Sequence, residues 1–172
     1  GQSDRADQII TEIAKAHPDA NLEDRLRFQR AKAAYQSGES TEALTLFQSF
    51  VRTTSTSSLL PDAYYYLGIL YANENRDTEA KNYLRQLVQQ YPDSEALPDG
   101  ALRLGDIHRK EKNYEEAAAA YKAAAESDAI GTELRAQARY GQSIALLNLG
   151  ENDKAKEILN RILEESQGGP LQ

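Results

Sequence analysis

Cysteine, methionine and tryptophan are absent from this 172-residue chain, and phenylalanine occurs three times. Without cysteine there are no disulfides and no thiol catalysis, although that absence assigns no compartment. No apolar run approaches the roughly 18 residues that a membrane span requires. No Gly-rich phosphate loop is found. Basic residues are in deficit, 20 against 27 acidic, and the net charge of −7 argues against nucleic-acid binding, because phosphate neutralisation needs a basic surface. Gly1-Gln2-Ser3 replaces an initiator methionine and reads as a cleaved or engineered start, so the chain is expected to be a piece of a longer protein.

What the chain has instead is periodicity. Ala6, Ala43, Ala80, Ala117 and Ala155 are separated by 37, 37, 37 and 38 residues. Four positions after each stands a large apolar residue: Ile10, Phe47, Leu84, Tyr121 and Leu159. Seven after stand Ile13, Phe50, Leu87, Ala124 and Ile162. Twelve before the last four alanines the side chain is small: Ala31, Gly68, Gly105 and Ser143. A fixed period with two helices per unit marks a solenoid. The unit is clearest at 61–92. Tyr64, Leu67, Gly68 and Tyr71 share one helical face, Asn73-Glu74-Asn75-Arg76 marks a turn, and Asp77 or Thr78 can cap a second helix that Pro92 ends. Gly68 inside a helix costs about 1 kcal/mol relative to alanine, so a closely passing helix is expected there, with Ala80 as the matching small surface and Tyr83, Leu84 and Leu87 around it.

The ladder predicts an all-α superhelix of about nine helices. Complete repeats are expected at about 22–57, 61–94, 95–131 and 132–165, after a half-repeat at about 4–20 and before a flexible tail at 166–172. Turns fall at Ser37-Gly38, Lys112-Asn113 and Gly150. The hydroxyl-rich stretch 53–58 reads as a plain connector. Helix 4–16 has no first-type partner, so Ile9 and Ile13 await one upstream or another chain. At the other end, Ile158, Leu159, Ile162 and Leu163 are too many apolar residues for one neighbour to cover. Either that helix is partly tucked in or another chain covers it, and self-association through such uncapped ends is an expectation.

These residues resemble the tetratricopeptide repeat: a bulky residue, Leu-Gly, Tyr, then Ala, an aromatic residue, Ala and Pro. The tryptophan slot departs from it, holding Arg27, Tyr64, Ala101 and Arg139. The period exceeds the usual 34 or so by about three residues. That period, with Gln90-Tyr91-Pro92-Asp93-Ser94 and the stretch 98–106, resembles a longer-period subgroup of bacterial cell-envelope proteins, such as the periplasmic partner of Tol–Pal and outer-membrane assembly lipoproteins. The resemblance implies that first-type helices line a concave groove. It would hold Arg25, Phe28, Lys32, Tyr35 and Gln36; then Tyr65, Ile69 and Asn73; then Asp99, Leu102, Asp106, Arg109 and Lys110; then Tyr140, Ile144, Leu147 and Asn148. Rigid aromatics with amide and basic tips suit an extended peptide or a partner helix. Arg25, Arg27, Arg30 and Lys32 gather positive charge on the first groove helix and could steer an acidic segment there. Phe28 and Lys32 stand where the family's C-terminal carboxylate clamp needs Lys and Asn, so that clamp is not expected.

No catalytic constellation competes with this reading. His17 and His108 occupy the packing slots filled elsewhere by Tyr91 and Tyr71. Asp106 and His108 are two apart on a helix and do not face each other. Ser143 lies mid-helix, in Gly-Gln-Ser-Ile-Ala, which lacks the second glycine of a nucleophile elbow. The expectation is a non-enzymatic scaffold without cofactor or metal, binding a protein or peptide in a bacterial envelope assembly, with a periplasmic location. The alternatives are a regulatory or oligomerisation module of a larger enzyme or sensor, and a cytoplasmic location.

Overall fold

The computed structural model describes residues 2–16 and 20–166, so Gly1, His17, Pro18 and the tail from 167 lie outside it. Among the described residues there are nine helices and no strands: α1 Gln2–Ala16, α2 Ala20–Gln36, α3 Ser40–Thr53, α4 Leu60–Asn73, α5 Asp77–Gln90, α6 Leu97–Lys110, α7 Tyr114–Glu126, α8 Thr132–Asn148 and α9 Asn152–Ser166. Each packs on the next, and α4 also packs on α6, and α6 on α8. α4, α6 and α8 therefore form a continuous layer, which α2 joins through the Phe28 and Tyr35 rings against Tyr66. On the other side α7 and α9 stand apart, leaving an open cleft of about 630 Å³ between them. A stack whose one layer touches and whose other layer splays must curve, and the touching layer is its concave side. No helix of the described residues is long and apolar enough to cross a membrane.

The alanine ladder is the contact line between helices. Ala43, Ala80, Ala117 and Ala155 are all fully buried, as are the small residues Ala31 and Ser143; Ala6 lies outside the described side chains. Gly68 does mark a close approach, but the partner is Leu84 rather than Ala80. A Cβ on Gly68 would lie 2.4 Å from Leu84 Cδ2. A large residue is sunk into the gap a glycine leaves, so small surfaces are not matched to one another.

All four hairpins turn the same way. Gly38, Asn75, Lys112 and Gly150 have φ of +77°, +59°, +64° and +79°, each five residues before its alanine. The next residue's N–H reaches back into the helix, as Arg76 to the Tyr71 carbonyl and Asn113 to the His108 carbonyl, both at 2.9 Å. This left-handed helix ending suits glycine and strains lysine. Lys112→Gly is therefore expected to raise stability by about 1 kcal/mol, read as a shift of the urea midpoint at unchanged slope. Capping of α5 differs from expectation. Neither Asp77 nor Thr78 caps it; the flanking residue is Arg76, whose side chain makes no capping bond. Asp77 instead accepts from Lys110 Nζ of α6 at 2.6 Å, because the stacked repeat brings that ammonium across the unit boundary. The connector after α3 is tied down: Thr54 Oγ1 donates to Asp24 at 3.3 Å, and Ser57 Oγ accepts from the Leu59 N–H at 3.4 Å.

Candidate functional site

The concave layer is built from one wedge. Tyr121 of α7 is 1% exposed. Its ring lies between Gly105 of α6 and Gly141 of α8, and a Cβ on either glycine would come within 2.7 Å of it. The ring fills the space both side chains lack, so the phenol passes between the two helices and emerges on the concave side. There its O–H donates to Asp106 Oδ1 at 2.6 Å and accepts from Arg109 Nε at 3.0 Å. Arg109 also lies 3.5 Å from Asp106. Burial, then the bond to the Asp106 carboxylate, pushes the Tyr121 phenol up to about 12, against the opposing pull of Arg109. It is a fixed neutral donor across the physiological range.

Around this phenol opens a cleft of about 270 Å³, lined by Leu102, Asp106, Arg109, Gln137, Tyr140 and Ile144 with Tyr121 and Gly141. Five of the groove residues expected from sequence thus meet in one place, with Tyr140 57% exposed. Tyr121, Gln137 and Gly141 were missed. The signal for Tyr121 was present: an aromatic four after the ladder alanine, opposite two glycines.

The rest of the expected groove is divided. Tyr65 and Tyr35 both pack on Tyr66, at centroid distances of 5.5 and 5.0 Å, and remain partly exposed. Ile69 is partly exposed, and Arg25, Gln36, Asn73, Asp99 and Leu147 are exposed. Asn148 is exposed, but its Nδ2 donates to the Ile144 carbonyl at 2.8 Å. Lys110 is turned to Asp77. Phe28 is a correction. It is 4% exposed and lies edge-on to Phe47 and Phe50, at 5.7 and 5.8 Å, so it belongs to the core and cannot line an open surface. The positive strip on α2 is also reduced. Arg27 is paired with Glu23 and Arg30 with Glu42, which leaves Arg25 and Lys32. Burial raises the Asp62 carboxyl, Lys32 opposes that in part, and Glu95 adds to it.

His108 is 6% exposed, and its Nδ1 has no hydrogen-bond partner among the described residues. Burial lowers its pKa, Lys81 and Arg85 lower it further, and Glu116 and Glu111 oppose them. Unfolding frees a histidine that takes a proton near 6.5, while the folded one resists it. Stability is therefore complete above about 6.5 and falls as pH drops from there towards the depressed folded value. Urea midpoints at about pH 8 and about pH 5.5 should differ less in His108→Leu than in the parent chain.

Residues 62–94 match one family model described as tetratricopeptide repeat, and residues 102–170 match another of the same description; together they span more than half of the chain. No curated protein matches it. Among solved structures, a crystal structure of MamA is 19% identical, with 92% of this chain and 85% of that chain covered and a TM-score of 0.66. BtubC (BKLC) from P. vanneervenii is 12% identical, with coverages of 100% and 77% and a TM-score of 0.67. A tetratricopeptide repeat protein from Parabacteroides merdae is 18% identical, with coverages of 92% and 58% and a TM-score of 0.64. At these identities the likeness is one of fold.

Proposed function

Given that the chain belongs to the tetratricopeptide-repeat family, we propose that it is a non-catalytic scaffold holding a peptide or partner protein against its concave layer, within a bacterial cell-envelope assembly. The observation that carries the binding reading is the cleft between α6 and α8. An exposed aromatic ring, Tyr140, stands beside Ile144 and the Asp106–Arg109 pair, which the buried Tyr121 hydroxyl holds in place. Such a site offers an apolar anchor and both signs of hydrogen-bonding partner within one cleft, which suits an extended chain. The Tyr35, Tyr65 and Ile69 surface continues it towards α2, so a ligand crossing all four units meets aromatic faces at both ends. The envelope assignment, and with it a periplasmic location, rests on the 37-residue period and the Tyr91-Pro92-Asp93-Ser94 phrase.

The test is affinity capture from a bacterial envelope extract with the parent chain and with Tyr65→Ala, Tyr140→Ala. Both tyrosines are at least partly exposed, so helicity should be unchanged. Buried aromatic anchors contribute about 2 kcal/mol or more, and the double variant is expected to lose the captured partner. Equal capture by both chains would overturn the groove reading. Capture from cytoplasmic extract alone would overturn the envelope assignment.

A further inference from the structure

Among the described residues, α9 lacks the cover that the second helices of earlier units have. Leu84 and Leu87 of α5 are fully buried, with Gly100 of α6 seated on Leu87. Tyr121 of α7 is buried under Gly141 of α8 in the same way. The equivalent residues of α9, Leu159 and Ile162, are only half-buried, and Leu163 beside them is 56% exposed. Leu159 and Leu163, one turn apart, thus form an apolar stripe that no described element covers. Two exposed charges flank it, Lys156 before Leu159 and Glu164 after Leu163. Of the other α9 charges, Lys154 pairs with Glu151, Arg161 with Glu157 and Glu165 with Arg139, and Asp153 lies in the first turn, before the stripe. Lys156 and Glu164 have no ion-pair partner among the described residues.

We propose that a second copy of this chain covers the stripe, its α9 lying antiparallel to the first across a two-fold axis. A two-fold contact requires a patch that complements itself, and this one does. Antiparallel helices bring Leu159 over the partner's Leu163 and the reverse. They also bring Lys156 alongside the partner's Glu164 twice. A parallel arrangement would set like charge on like charge and align the helix dipoles unfavourably. The leucines exclude water, while the charges fix direction and register.

Sedimentation across a concentration series tests this. The mass should rise from 19.1 kDa towards twice that value. Leu163→Glu, at an exposed position, should keep the fold and hold the chain at the monomer mass. Lys156→Glu and Glu164→Lys should each weaken association by about tenfold, since each places like charges in both symmetric pairs. Mixing the two single variants should restore it, because each then supplies the charge the other lacks. A monomer at every concentration, association undiminished by Leu163→Glu, or a mixture no tighter than its components would each overturn the proposal. So would loss of association in Ile9→Glu with α9 untouched, which would place the contact on α1.

Discussion

Replacing Tyr121 with alanine is expected to lower the unfolding free energy by about 3–5 kcal/mol. The ring is almost fully buried and fills a slot bounded by two glycines on different helices. Neither glycine has a side chain that could move into the space, so the cavity persists and its cost approaches the upper end of the range. Tyr121→Phe keeps the wedge and loses only the bonds to Asp106 and Arg109, a loss of about 1–2 kcal/mol. The reverse change is also informative. A methyl on Gly141 would press on a ring that Gly105 blocks from behind, and overpacking of this kind costs about 1–3 kcal/mol. Solenoid units touch only their neighbours. Hydrogen exchange in Tyr121→Ala should therefore accelerate first in α6, α7 and α8 and leave α3 and α4 protected. Uniform acceleration along the chain would show that Tyr121 is not a local wedge.

Phe28→Ala should be nearly as damaging, at about 3–5 kcal/mol, whereas Tyr140→Ala should change stability by no more than about 0.5 kcal/mol. Both positions were assigned to the groove by register, and burial separates them. Phe28 packs on Phe47, Phe50 and Tyr66, and Phe47 stacks on Tyr66 at 5.0 Å with an interplanar angle of 9°. Removing Phe28 withdraws one side of a four-ring cluster that joins α2 to α3 and α4. Among the described residues Tyr140 has no ring partner, and it is mostly exposed. Thermal unfolding of the two variants should differ accordingly. A Tyr140 variant that melts as early as the Phe28 variant would place Tyr140 in the core.

The repeat itself was legible because its signal is geometric. An alanine at every crossing, a large residue one turn on and a turn five residues before are each forced by helices stacking at a constant pitch. The groove was less legible, because helix register gives the face of a residue but not its depth. In the second and third units that face is open at Ile69 and Asp106. In the first unit Phe28 is drawn inward by the phenylalanines of α3. The charges of α2 misled for a similar reason. Arg27 and Arg30 read as a free basic strip, yet each lies within reach of a carboxylate on its own helix or the next. The Asp77 cap failed because its competitor, Lys110, lies 33 residues away. Tyr121 shows the opposite case. Its ladder position marked it as packing, and only the two glycines around it explain how a core residue also reaches Asp106 and Arg109.

The concave surface from Tyr65 to Tyr140 is where a partner is proposed to rest. Hydroxyl-radical footprinting of the captured complex reads this most directly, because it reports side-chain exposure at each tyrosine. Tyr65 and Tyr140 are expected to lose reactivity on binding while Tyr114, on the opposite layer, keeps it. Undiminished labelling of Tyr65 and Tyr140, with protection confined to α7 and α9, would contradict it.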